Sequence, residues 1–121
     1  MKISYIELLG ERHPLCLSLS ASEELSEAFD GMENMGKALE SKDLAVVARA
    51  VNTVLTILMR AGRIYVKAVG GELPPELPCR PADVLDMRDG SAVKAIFSTI
   101  QSDSSREVEV QTKNGEATQG E

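Results

Sequence analysis

The sequence has no tryptophan, two tyrosines and two phenylalanines among 121 residues. Without large aromatic side chains, a core has to be assembled from Leu, Val, Ile, Ala and Met. The apolar content of 43% is ordinary for a globular chain. This composition predicts helices packed on helices in one domain, because the chain is too short for two domains of ordinary size.

Cysteine and histidine are also scarce, since Cys16, Cys79 and His13 are the full set. A structural zinc site needs four ligands arranged as two close pairs, which these residues cannot supply. A lone histidine beside Pro14 offers no nucleophile-and-base arrangement either. We therefore expect no metal, no cofactor and no catalytic residue, and we expect both thiols to be small buried side chains in a reducing compartment.

A surplus of positive charge is missing as well. Nineteen Asp and Glu residues against thirteen Lys and Arg residues give a formal net charge of -6. This charge disfavours a nucleic-acid partner, because the phosphate backbone would repel the chain. The start of the sequence, MKISYIELLG, lacks the basic residues and long apolar run of a secretory signal. These absences predict a cytoplasmic protein that does not bind nucleic acid.

The first predicted element is a β-hairpin over residues 2–19. Residues 2–8 and 13–19 alternate apolar with polar or smaller side chains, which is typical of strands, and residues 9–12 supply a turn. Pro14 cannot donate a hydrogen bond to the ladder. It is therefore expected to place the start of the second strand at an edge or just outside the pairing.

Two short helices are predicted after the hairpin. Ser20 and Glu23 have the spacing of a capping box, which indicates a helix over about 21–29. Gly31 is expected to end this helix by taking the left-handed conformation. Residues 32–40 then predict a second short helix, because their Met and Leu residues recur at helical spacing.

The principal predicted element is a helix over 42–69, in which Gly62 is the one potential breaker. It is long enough to cross a bilayer, but its interior polar residues argue against a membrane span. At 100° per residue, the face expected to form the core holds Leu44, Val47, Val51, Val54, Leu55, Leu58, Tyr65 and Val69. A second apolar strip holds Val46, Ala50, Ile57, Ala61, Ile64 and Ala68.

The rest of the chain is predicted to be a proline-rich connection, two more helices and a tail. Residues 72–81 hold four of the five prolines and should run extended over the surface. Helices are expected over 81–88 and 91–101, and residues 102–121 read as a flexible polar tail. The predicted fold is α+β and mostly α. A hairpin precedes a bundle of about four to five helices around one long central helix, in a single globular domain over 1–101.

The long helix carries the candidate partner-binding residues. Its basic sector consists of Arg49, Arg60, Arg63 and Lys67. This sector is either paired with acidic residues of the preceding helices (Glu23, Glu24, Glu27 or Glu33) or faces an acidic strip on another protein. Its second apolar strip is either covered by the hairpin and the last helix or left exposed for association. The candidate set is Val46, Arg49, Ile57, Arg60, Arg63, Ile64 and Lys67.

The order of features resembles a known family. HPLCLSLSASEELSEAF followed by DGMENMGKALESKDLAVVARAVNTVLTILM is similar to the tail assembly chaperones of long-tailed bacteriophages and prophages, over roughly residues 2–100. The resemblance implies a protein that binds the long, helical tape measure protein, recruits tail tube subunits and leaves before the particle is finished. Many such families also make a longer product by ribosomal frameshifting, in which the polar stretch after Ser102 would act as a tether. Weak self-association into a homo-oligomer along the client is also expected, because one small domain covers little of a long chain.

Two other classes of function stay open. A small helical transcriptional regulator or antitoxin-type protein would use the two predicted helices around Asp89-Gly90 as a helix-turn-helix. The second of these helices carries only Lys94 as a cation, which argues against insertion into a DNA groove. A small enzyme subunit would need a site contributed by another chain.

Overall fold

Two strands and four helices make up the fold in a computed structural model, which describes residues 3–86 and 90–101. In chain order the elements are β1 (Ser4–Leu8), β2 (Glu11–Leu15), α1 (Leu19–Phe29), α2 (Met32–Leu39), α3 (Leu44–Ala68), a 3-10 turn (Pro81–Asp83) and α4 (91–101). The predicted fold class is confirmed, because an antiparallel hairpin precedes helices arranged around one long central helix. The predicted tail, 102–121, lies outside the described residues.

The hairpin closes through a tighter turn than the sequence indicated. Leu9 and Gly10 both have positive φ, at 52° and 80°, and they alone connect the two strands. The second strand therefore begins two residues before the predicted position and ends at Leu15. A two-residue turn with both φ values positive matches the twist of paired strands, and this explains the short connection.

Pro14 lies inside the pairing, opposite Tyr5, and not just outside it. Both strands of a two-stranded sheet are edge strands, so the edge position predicted for Pro14 agrees with the structure, but the strand starts at Glu11 and not at Pro14. With a two-residue turn, the pair that flanks the turn, Leu8 and Glu11, is the hydrogen-bonded one, and such pairs alternate along the strands. The pair of Tyr5 and Pro14 then falls at a position without ladder hydrogen bonds. A proline at this position costs the hairpin no donor.

Helix α1 begins at Leu19, two residues before the predicted start. The Ser18 side chain, and not that of Ser20, accepts a hydrogen bond from the backbone N–H of Ala21, at 3.1 Å. The end of the helix also differs from the prediction. Asp30, rather than Gly31, takes the left-handed conformation, with φ of 56°, and short polar side chains of this type tolerate it.

These two serines give a direct test of the capping residue. We expect Ser18→Ala to lower the free energy of unfolding by about 1 kcal/mol, because a free N–H at the start of α1 loses its acceptor. Ser20→Ala is the matched control, and it should change stability by only a few tenths of a kcal/mol, about the helix-propensity difference. Urea denaturation followed by circular dichroism measures both. Equal losses in the two variants would contradict the assignment of the cap.

Helix α3 is the centre of the packing, because β2, α1, α2 and the 3-10 turn all contact it. β2 crosses it closely at Gly62, where an added Cβ atom would fall on the Pro14 carbonyl group and lie 3.0 Å from the Leu15 nitrogen. The Cys16 N–H donates to the Leu58 carbonyl oxygen at 3.2 Å, which ties the chain after β2 to the helix. The closeness of strand and helix explains why a glycine occupies this position.

Burial along α3 differs from the predicted face at both ends. The middle of that face is buried, but Leu44 and Val69 are 61% and 62% exposed. Ile57, which belongs to the second apolar strip, is buried at 7% exposure. The first and last turns of the helix extend past the elements that pack on it, so periodicity alone overestimated the buried length. Asp43 caps the start by accepting from the Ala45 N–H at 3.0 Å.

The segment before α4 contains a 3-10 turn where a helix over 81–88 was predicted. The Asp83 carboxylate accepts from the Arg80 backbone N–H at 3.0 Å and from its guanidinium, which closes a single turn around Pro81. Residues 84–86 are not helical, and 87–89 lie outside the described range. The side chain of Asn52 on α3 accepts from the Ala82 N–H at 3.0 Å, so the turn is attached to the central helix.

Helix α3 is long and apolar enough to cross a membrane, judged by length and composition only. The same properties are found in core helices of soluble proteins, and less than half of its most apolar stretch is buried by the neighbouring elements. The length and composition of α3 therefore do not assign this helix to a membrane.

Candidate functional site

A cleft of about 390 Å³ lies between the C-terminal half of α3 and the proline-rich segment that follows it. Residues from α3, from β2 and from the segment line it: His13, Thr56, Met59, Arg60, Arg63, Ile64, Glu76, Leu77, Cys79 and Pro81. Three of the predicted partner-binding residues, Arg60, Arg63 and Ile64, meet here. The cleft therefore combines apolar and cationic groups beside the exposed side of the central helix.

Two of the four predicted cations already have partners within the chain. Both terminal nitrogens of Arg60 donate to Glu24 on α1, at 2.9 Å. For Arg60 this agrees with the first explanation of the basic sector, pairing with acidic residues of the preceding helices. Both side chains of this pair are about half exposed, and ion pairs of this kind contribute little to stability. Arg63 donates through Nη1 to the Pro74 carbonyl oxygen at 2.8 Å. A partner could therefore recruit the charge of Arg60 by competing only with a weak surface pair.

Arg49 and Lys67 are exposed, and no ion pair involves either of them within the described ranges. Lys67 lies one turn beyond Arg63, at the same end of the helix as the cleft. Arg49 lies eleven residues before Arg60, about 16 Å along the helix axis. Arg49 is thus set apart from the other three cations, and only the C-terminal part of the basic sector borders the cleft.

The apolar members of the predicted set separate in the structure. Ile64 is 65% exposed at the mouth of the cleft, whereas Ile57 is 7% exposed and offers little surface to a partner. Val46 is half-buried at the other end of α3. Leu77 of the proline-rich segment, which the sequence did not single out, lines the cleft opposite this side of the helix. Ile64 is therefore the apolar residue of the set that is most available to another molecule.

His13 lines the same cleft although it is only 2% exposed. Neither Nδ1 nor Nε2 of its ring has a hydrogen-bond partner in the part of the chain that the structure covers. Burial lowers the pKa of His13 from its ordinary value of 6.5, and the positive charge of Arg63 lowers it further. Glu11 and the Leu8 carbonyl act in the opposite direction, but the Leu8 oxygen does not meet the geometry of a hydrogen bond to the ring. The imidazole is therefore held neutral at pH 7.

The proline-rich segment was predicted only to run extended over the surface, and no role in a site was predicted for it or for His13. Nothing in the spacing of the residues indicated that His13, fifty residues from Arg63, would lie beneath that segment.

A second, more apolar groove of about 370 Å³ lies at the other end of α3. Leu44, Val47 and Val51 form its helical wall, and Leu85 and Val93 come from the chain after the 3-10 turn. The apolar face that is buried in the middle of α3 is thus partly exposed along the first turns of the helix.

No group of three or more His, Cys, Asp or Glu side chains in residues 3–86 and 90–101 could hold a metal ion. Comparison of the chain with family models, with curated proteins and with solved structures finds no match. The function therefore has to be argued from the surface of α3 and its neighbours.

Proposed function

We propose that this chain is a tail assembly chaperone of a long-tailed bacteriophage or prophage. It binds the tape measure protein and recruits tail tube subunits in the cytoplasm of the bacterial host. The resemblance of residues 2–100 to that family supports the proposal at the level of sequence. The proposal assigns no catalytic residue and no cofactor to the chain.

The single observation that carries the proposal is the exposure of Ile64 among cations. Ile64 follows Arg60 by four residues and precedes Lys67 by three, so all three lie on one face of α3. A helical client with an apolar stripe and acidic flanks would place the stripe against Ile64 and pair its carboxylates with the cations. A long helical protein offers such a surface repeatedly, which also favours weak self-association of the chaperone along it.

Binding to the client tests the proposal. We expect the double variant Arg60→Glu, Ile64→Asp to lose at least about tenfold in affinity for the proposed client, the tape measure protein. It removes an apolar contact and reverses a charge, each of which commonly costs about 1 kcal/mol or more at an interface centre. Co-expression followed by co-purification, and then titration of the purified proteins, measures the effect.

Lys37→Glu provides the matched control, because it reverses an exposed charge on α2 at a residue that does not line the cleft. Its client binding should equal that of the wild type. The double variant should unfold within a few degrees of the wild type, since Ile64 is exposed and Arg60 takes part only in a surface pair. Unchanged client binding by a folded double variant would remove α3 from the proposal.

A small helical regulator is the alternative from another class. The structure places Lys94 as the only Lys or Arg within α4, so no observation favours DNA binding by that helix over protein binding by α3.

A further inference from the structure

The proline-rich segment before the 3-10 turn is attached to α3 at both ends. Arg63 holds the Pro74 carbonyl oxygen at 2.8 Å, and Asn52 holds the Ala82 N–H at 3.0 Å. Between these points Leu77 packs against the core cluster. The segment forms no strand ladder with another element of the described chain. A few side-chain contacts hold the segment in place. One unfavourable charge beneath it is therefore enough to shift the equilibrium between the attached and the detached segment.

His13 lines the cleft beneath this segment, and neither ring nitrogen makes a hydrogen bond of good geometry. Protonation would make both nitrogens cationic donors. The Leu8 carbonyl and Glu11 would offset part of that charge, but burial and the charge of Arg63 outweigh them. The other charged groups around it do not compensate for the rest of that charge. From α3 it faces Arg60 and Arg63, which are positive, and from the segment it faces Glu76 and the thiol of Cys79. Glu76 is exposed to solvent, which screens its charge.

The two strands supply little more charge that could compensate a protonated His13. Glu11 on β2 is exposed and lies two residues from His13, beside the turn. On β1, Tyr5 and Glu7 alternate with Ile6, the residue opposite His13, so they point to the other face of the hairpin. An imidazolium at this position would therefore be buried, only partly compensated by Glu11 and the Leu8 carbonyl, and close to the guanidinium of Arg63, which is costly. Of the elements around His13, the proline-rich segment is the least firmly attached. Its displacement would let water reach the imidazole ring.

We propose that residues 72–81 form a strap over α3 that protonation of His13 releases. Release uncovers the side of the helix around Met59 and Ile64 and frees Arg63 from Pro74. The role of this opening in partner capture rests on the proposed function, because the uncovered surface adjoins the face assigned to the client. The release itself is a property of the chain alone and can be measured without any partner.

The two cysteines report on the release. Cys79 lies on the strap and is half-buried, whereas Cys16 is fully buried after β2. We expect the rate of Cys79 modification by 4,4′-dithiodipyridine, divided by that of an unstructured cysteine peptide at the same pH, to rise about tenfold. The rise should occur between about pH 7.5 and pH 5, where an accessible imidazole becomes protonated. Cys16 should stay protected throughout, and Cys79→Ser assigns the signal.

Two variants of the full chain make the test specific. The glutamine in His13→Gln cannot become charged. The rate of Cys79 modification in this variant, divided by that of the cysteine peptide, should therefore not depend on pH. Asn52→Ala removes one attachment of the strap and should raise the ratio at neutral pH, which keeps the test decisive if His13→Gln does not fold.

The proposal is overturned by a Cys79 ratio that does not change with pH, or by an equal rise in His13→Gln. It is also overturned if Cys16 becomes reactive in parallel with Cys79, because the whole domain would then be opening. None of these results would affect client binding measured at neutral pH, so the failure of the strap and the failure of the proposed function are distinguishable.

Discussion

Replacing Gly62 by alanine is expected to destabilise the folded chain by about 2–3 kcal/mol, the cost of inserting an atom into a packed interior, although alanine is the better helix former. The new Cβ atom would occupy the position of the Pro14 carbonyl group, and the obstacle is backbone rather than a flexible side chain. The hairpin would have to move away from α3, lengthening the hydrogen bond from Cys16 to Leu58. Urea denaturation of the two proteins measures the loss.

Gly36→Ala is the control for this prediction. Gly36 lies in α2, and no atom of the described residues comes within 4 Å of a Cβ atom built there. We expect this substitution to stabilise the protein by about 0.5–1 kcal/mol, because alanine loses less backbone entropy in a helix. If both glycine variants were stabilised alike, β2 could not cross α3 at Gly62.

Truncating Leu58 to alanine is expected to cost about 3 kcal/mol, within the range found for fully buried leucines. Leu58 is 0% exposed in the middle of α3, so the lost methyl groups leave a cavity as well as a smaller apolar surface. Thermal and urea unfolding measure the change, and hydrogen exchange of the hairpin amides shows whether the strand loosens with it.

Leu44→Ala makes the same chemical change on the same helix, at a residue that is 61% exposed. It should cost less than about 1 kcal/mol, because much of the side chain already contacts water. A loss at Leu44 as large as that at Leu58 would mean that the first turns of α3 are covered in solution. The second groove, which Leu44 lines, would then be occupied, and self-association would be the first explanation to examine.

The contrast between Ile57 and Ile64 shows why the candidate site could be predicted only in part. The two residues are seven positions apart on the same apolar strip, and periodicity treats them as equivalent. In the structure α1 packs on α3 and Ile57 is 7% exposed, whereas Ile64 is 65% exposed at the cleft. Periodicity assigns a residue to a face of a helix, but the reach of the neighbouring element determines whether that face is covered.

The cations of α3 also show what helical periodicity can and cannot predict. Their placement on one sector of α3 follows from helical spacing, and it was correct. The partner of Arg60 proved to be Glu24, one of four acidic residues that the sequence left equivalent. Arg63 bonds to a backbone carbonyl oxygen of the proline-rich segment, and carbonyl groups carry no signature in a sequence. Which cation remains free for a partner depends on these contacts.

Local chemistry was sufficient to predict the order and type of most elements. The cap at Asp43 and the glycines after Val69 bracket α3 within two residues, because helix ends are governed by groups a few residues away. The composition likewise required an aliphatic, mostly helical core. The errors in the start of β2 and in the start of α1 are local as well, since each displaced an element by two residues.

The contacts that position the cleft join residues far apart in the chain. β2 approaches α3 at Gly62, and the proline-rich segment returns over the same helix, so His13 comes to lie under residues that follow it by sixty positions or more. Contacts of this range depend on how the elements fill space against one another, and local propensity does not encode that fit. The pattern of side chains predicted which elements form, and their packing set which parts of α3 remain accessible.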